Sequence, residues 1–448
     1  MLKTPNRRAG RTSCLAKLRS TRFPAKALFS AFIATAAACP AIAVPASAIS
    51  SPGPLCGRMQ GYTPQVNVRC ADGISLTHVL AIPGTSHEPR PLLAGVVWAG
   101  RDGILAITYT HLLQWKFSAG KAECTATALG SKVGHQRIGL FARHQGAVLV
   151  SACGPTTGHK PALILSRISA GALALRQWLR LSGEASGIRV GPGGRVDFPR
   201  VIFPAAGDWI GTVPYDAVPG DRLVIRRIGR GAAPAETHRL FETRNIGFAA
   251  ADGKSFGWVS LGHWVRLLAM GNGSGVVARI HVTGPDIQYG ALSPRGRQLA
   301  LIAYGPSTLL GSQTILELLR ANNPSQEKLL QLSNGYTTNM APACPPVFSP
   351  DGRLVAAATL RRTSHFPDEV LIVDAGSPGI YCKARFGMDA PISLAFSPGG
   401  RQLAIECWYR IFVFKLPKGF PPQRGATPGA GRNRAFLHRV ETVTIPQK

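Results

Sequence analysis

Acidic residues are scarce in this chain. Asp and Glu number 22 against 51 Lys and Arg, a formal net charge of +29 over 448 residues. Glycoside hydrolysis needs two facing carboxylates, and nothing in the pattern selects a pair from Asp216, Asp368 and Glu369. Cysteine pairs of the CxxC kind are absent, which removes support for zinc ribbons, thioredoxin-type redox chemistry and c-type haem attachment. The one GxSxG spelling, GKSFG at 253–257, falls in an expected blade turn and strand and not at a strand-to-helix elbow, and there is no P-loop and no HExxH helix. The glycine-rich stretch 271–275 (GNGSG) falls in an expected hairpin and not ahead of a helix, so it is a poor phosphate cradle. The 11 histidines are scattered, none at metal-ligand spacing. Cys153 and His159 share one loop, which is weak grounds for a Cys–His catalytic pair. The sequence predicts no catalytic constellation, no metal site and no cofactor. Beyond residue 48 no stretch approaches the roughly 20 uninterrupted apolar residues of a membrane span.

What is present begins with the N-terminus. Eight cations and no acids precede residue 27, followed by the apolar run ALFSAFIATAAACPAIAVPASA and the small-residue site Ala46-Ser47-Ala48. A basic segment, an apolar segment and such a site predict an export signal over 1–48, and therefore a periplasmic or secreted protein. Lipid anchoring at Cys39 is a minor alternative, with Ala36 where a larger aliphatic is usual and Pro40 following. Removing the leader leaves 43 cations against 22 anions, a net +21. So basic a chain is drawn to anionic surfaces or polymers. An exported chain permits disulfides; of the seven remaining cysteines, Cys56 and Cys70 form the favoured local bridge, with the overall connectivity open.

The rest of the chain repeats itself. FSPDGRLVAA begins at Phe348 and FSPGGRQLAI at Phe396. Five weaker copies precede them: VVWAGRDGILAI from Val96, IGLFARHQGAVLV from Ile138, VIFPAAGDWIGTV from Val201, IGFAAADGKSFGWV from Ile246 and YGALSPRGRQLALI from Tyr289. Their turn glycines, Gly103, Gly146, Gly207, Gly253, Gly296, Gly352 and Gly400, are 43 to 61 residues apart. That spacing suits a four-stranded propeller blade. Third strands are expected near 163–168, 222–228, 265–269, 314–319, 369–374 and 410–415, and fourth strands near 172–178, 276–282 and 380–386. The run 314–330 looks helical but fits two strands as well. In SPDG, proline presets φ, Asp accepts from nearby backbone N–H groups and Gly takes the conformation other residues resist. The preceding Phe is expected to bury between blades.

The predicted fold is all-β: a single seven-bladed β-propeller of four-stranded antiparallel blades over 92–416. An N-terminal extension occupies 49–91 and a Pro/Gly-rich basic tail 417–448. Either the tail stretch 436–445 (FLHRVETVTI) or residues 74–82 supplies the fourth strand of the last blade, and the N-terminal stretch is favoured. FSPDGR and FSPGGR resemble the blade signature of the TolB-like, WD-repeat-like β-propellers of exported bacterial proteins. The resemblance covers about 92–416 and implies architecture rather than a particular protein. No WD dipeptide occurs, and so no Gly-His paired with one, and only about residues 49–91 are expected between the leader and the first blade.

Loops after second strands and those joining blades share one face. They are long at 153–161, 214–221, 304–312 and 361–369, and between blades at 130–137, 180–198 and 332–345. Binding usually resides on such loops, so the candidate residues are His135, His159, Lys160, Tyr215, Asp216, Tyr336, Arg361, Arg362 and His365. The leading expectation is an exported, non-enzymatic scaffold that binds another envelope protein through this face. The alternatives are a lactonase- or hydrolase-like enzyme at the channel mouth, and a binder of an acidic polymer.

Overall fold

The strands follow from short runs of β-branched and aliphatic residues cut by Gly- and Pro-bearing turns. In a computed structural model, residues 65–417 and 439–444 are described, except 72, 82–91, 109, 119–120, 130–134, 144–145, 155–159, 170–172, 183–185, 191–195, 215–221, 229–235, 240–246, 261–263, 270–275, 282–285, 305–313, 322, 332–339, 343, 362–368, 377–378 and 387–389. They form seven antiparallel sheets of four or more strands, arranged as a seven-bladed β-propeller, together with one two-stranded hairpin.

Blade one is Leu92–Trp98, Gly103–Thr108, His111–Ser118 and Lys121–Ala128. Blade two is His135–Arg143, Gly146–Cys153, Ala162–Ser169 and Leu175–Ser182. The hairpin Arg189–Val190 and Val196–Asp197 leads into blade three, Pro199–Ile202, Trp209–Pro214, Arg222–Arg227 and Glu236–Arg239. Blade four is Gly247–Ala249, Ser255–Ser260, Trp264–Ala269 and Val276–His281. Blade five is Asp286–Leu292, Gln298–Tyr304, Thr314–Arg320 and Asn323–Gln331, so the helix-like run resolves into two strands.

Blade six is the exception to the four-strand rule. Its first strand is split into Met340–Pro342 and Val347–Phe348, followed by Leu354–Arg361, Glu369–Asp374 and Ile380–Arg385. Gln65–Cys70 then adds outside Ile380–Arg385, and Arg439–Thr444 adds outside that. Blade seven, Pro391–Phe396, Gln402–Cys407 and Arg410–Lys415, takes its fourth strand from Ser75–Ala81. The ring is thus closed by the N-terminal stretch, while the tail strand lies on the neighbouring blade.

Cys70 stands opposite Cys382 in this added pairing and is bonded to it. The bridge therefore joins positions 312 residues apart. It replaces the expected Cys56–Cys70 bridge, because strand pairing and not sequence proximity brings the thiols together. Cys56 lies outside the described residues.

The core is seven apolar clusters, one in each seam between adjacent blades. Val355, Ala357, Leu371 and Val373 of blade six face blade five, while Leu354, Ala356, Val370 and Ile372 face blade seven. Inner strands are covered on both faces, so Gly103–Thr108 (GILAIT) is buried throughout and reads as an unbroken apolar run. Outer strands such as Lys121–Ala128 are mostly exposed and polar. Phe348 packs in the seam between blades five and six, and Phe396 in that between six and seven. Burial of such side chains is the main stabilising term of the fold. Among the described residues no helix is long and apolar enough to cross a membrane. They belong to one compact unit, Pro54–Lys448; the expected leader falls outside them.

Candidate functional site

The repeated phrase builds one end of the ring. In blade six the Gly352 N–H donates to the Ser349 carbonyl at 2.8 Å, and Ser349 N to Leu354 O at 2.9 Å. The Ser349 hydroxyl donates to Asp351 Oδ1 at 2.5 Å and accepts from Leu354 N at 2.9 Å; Asp351 Oδ1 also accepts from Arg353 N at 3.0 Å. Both polar side chains are consumed by the turn. Blades four, five and seven repeat the same pair of backbone bonds. Successive turns touch: Pro294 lies against Gly352, and Pro350 against Gly400, each at 3.5 Å from the position a Cβ would take. Gly207, Gly253, Gly296, Gly352 and Gly400 have positive φ, as expected for the turn position. Gly103 and Gly146 instead begin second strands, and in blade one the positive φ falls on Gly100.

Inside this ring of turns the innermost strands enclose a cavity of about 910 Å³ to which all seven blades contribute. Trp98, Phe141, Phe203, Phe248, Phe348 and Phe396 line it, and Pro204, Pro294, Pro350 and Pro398 stand at the turn end. Apart from the indole of Trp98, the polar side chains in the lining are Arg101, Arg143 and Ser393. Arg143 is held in place: it donates to Gly207 O at 3.0 Å, pairs with Asp208 at 3.1 Å and lies 4.6 Å from the Trp178 ring centre. Arg167 covers the same ring at 4.0 Å. Cation–π contacts of this kind hold a guanidinium over an aromatic face.

The mouth is basic. A cation directly follows the positive-φ glycine in five blades: Arg101, Lys254, Arg297, Arg353 and Arg401. The described turns add Arg143 and Arg295, and carry the acids Asp102, Asp208, Asp252 and Asp351, leaving +3. This recurrence was visible in the quoted phrases, where Gly-Arg or Gly-Lys recurs, but only the ring shows that the cations share one rim.

Behind the wall, at the seam between blades one and seven, sits Glu406. It is fully buried and accepts from Gly95 N at 3.0 Å through Oε2, while Oε1 has no partner. Burial pushes its carboxyl up to about 8, against the opposing pull of hydrogen bonds from Gly95, Val96 and Ser393. The bulge in Leu92–Trp98, where pairing skips from Leu93 to Val97, leaves the Gly95 and Val96 N–H groups free to turn toward blade seven. The buried Cys344 thiol is raised by burial and then by the Glu406 charge. An acid inside the apolar run LAIEC was the sequence signal for this position. Glu369, considered above for glycosidase chemistry, is instead paired with Lys383 Nζ and Arg385 Nε, both at 2.8 Å. No group of three or more potential metal ligands occurs among the described residues.

Of the residues expected on the long-loop face, Lys160 is exposed just ahead of Ala162–Ser169. His135 opens a strand opposite Cys153, and Arg361 closes one opposite Met340; both are described through their backbone alone. All three lie at the blade ends away from the turns. His159, Tyr215, Asp216, Tyr336, Arg362 and His365 fall outside the described residues, as do Asp368 and the 271–275 stretch. The aromatic cavity was missed because the Phe of the two FSP phrases was read only as seam packing, and the seams converge on the axis.

The fold defines the class: a seven-bladed β-propeller with an apolar axial cavity. No protein-family model matches the chain. No curated protein matches it either.

Proposed function

We propose that the chain is an exported, non-enzymatic binding propeller of the cell envelope, TolB-like and WD-repeat-like in lineage. The FSPDGR and FSPGGR turns support the lineage. Its working surface on this reading is the turn-side cavity, not the long-loop face where binding was first expected. One observation carries the reading: all seven blades contribute to a lining whose described side chains are apolar apart from the Trp98 indole, Arg101, Arg143 and Ser393, with no carboxylate or imidazole among them. A concave, mostly apolar site with few polar groups is suited to holding a ligand.

The test is capture of partners from the native envelope by the processed protein, run beside an Ala142→Trp/Ala291→Trp variant. Both alanines line the cavity and Ala142 is exposed. Bound material should be lost from the variant while its thermal unfolding is unchanged. Equal capture by both forms would move the working surface elsewhere.

A further inference from the structure

Resting on that reading, we propose that the cavity takes one hydrocarbon chain of an anionic amphiphile, with the anionic head at the basic turn end. A long-chain fatty acid and an anionic envelope lipid share this chemistry.

Two independent features define the ligand. The first is the apolar interior, about 910 Å³, within the size range of small-molecule sites. Its aromatic and aliphatic walls offer one hydroxyl, that of Ser393. A hydrocarbon asks nothing more of such a wall. An extended peptide would bring a donor and an acceptor per residue and would have to find partners for them along the inner edges of the first strands, a demand a hydrocarbon does not make. The second feature is the basic turn end, where Arg101 and Arg143 line the cavity and the repeat sets Lys254, Arg297, Arg353 and Arg401 after the glycines of other turns. Three of the four acids there are engaged locally: Asp208 with Arg143, Asp252 with Lys254 N, and Asp351 with Ser349 and Arg353 N. An uncharged alkane would leave this rim unused, and an inorganic anion would leave the interior unused.

The experiment is displacement of a fluorescent polyene fatty acid from the full processed chain. Competitors are palmitate, laurate, hexadecanol and an acidic peptide with an apolar end; co-sedimentation with phosphatidylglycerol or phosphatidylcholine vesicles runs in parallel. Palmitate should displace the probe, with laurate weaker by roughly 200-fold, since each of its four missing methylenes contributes about fourfold. Hexadecanol should be at least ~10-fold weaker than palmitate at low salt, a gap that closes as salt screens the rim. Arg101→Glu/Arg401→Glu should weaken palmitate and leave hexadecanol unchanged, which a folding defect would not do. Ala142→Trp/Ala291→Trp should abolish both. Palmitate binding without vesicle binding assigns the free acid; selective phosphatidylglycerol binding assigns the envelope lipid. No binding of either, equal binding of hexadecanol, or displacement by the peptide alone overturns the proposal. If lipids fail while the filled variant still loses its envelope partners, the working surface stands and the ligand class falls.

Discussion

The indole Nε1–H of Trp98 donates to the Ala395 carbonyl at 2.8 Å, joining the first blade in sequence to the last. Gly95 N to Glu406 and Val96 N to Ser393 Oγ reinforce the same seam. A ring closed from its two ends has one seam that is most distant in sequence, and here polar bonds supplement the Trp98, Leu113 and Val413 packing. Trp98→Phe keeps an aromatic ring but leaves the Ala395 carbonyl unsatisfied. The expected loss is about 1–3 kcal/mol, read by denaturant unfolding. An unchanged midpoint would show that the bond contributes nothing net.

Stability should fall with rising pH across the Glu406 window. The folded carboxyl is raised to about 8 from its ordinary 4.5. Between those values the fold holds a proton that the unfolded chain has released. The contribution is complete below about 4.5, shrinks by about 1.4 kcal/mol per pH unit through the window, and is gone above about 8. Glu406→Gln preserves an acceptor for Gly95 N and should flatten this slope in thermal unfolding between pH 5 and pH 8. A slope equal to wild type would place the titration elsewhere.

The Cys70–Cys382 bridge ties the strand Gln65–Cys70 to blade six, and through it the tail strand Arg439–Thr444. Non-reducing peptide mapping should recover this linkage. Cys70→Ser/Cys382→Ser should destabilise by roughly 2–4 kcal/mol, with amide exchange rising first in 65–70 and 439–444.

Two glycines of equal φ class should respond differently to alanine. Gly352, φ 74°, has open space apart from Pro294 and Ser293 at 3.5 Å and 3.6 Å, so Gly352→Ala should cost only the left-handed penalty of about 1–2 kcal/mol. Gly253, φ 70°, would drive a Cβ into the Ala206 carbonyl of the neighbouring turn. Gly253→Ala should therefore cost more, about 3 kcal/mol or above. Equal losses by calorimetry would mean the turns shift apart freely.

Blade count and turn chemistry were legible in the residues alone, because those depend on residues close together. Ser349, Pro350, Asp351 and Gly352 shape the turn through bonds spanning five positions or fewer. What the ring does with its ends and its axis emerged from the folded chain. Cys70 meets Cys382, Ser75–Ala81 completes blade seven, and Gln65–Cys70 thickens blade six. Phe348 and Phe396 read as seam packing from sequence, yet they also line a shared cavity. Local bonding selects a turn from a few neighbouring residues. A cavity is made by seven strands converging from positions hundreds of residues apart, and no local pattern encodes that distance.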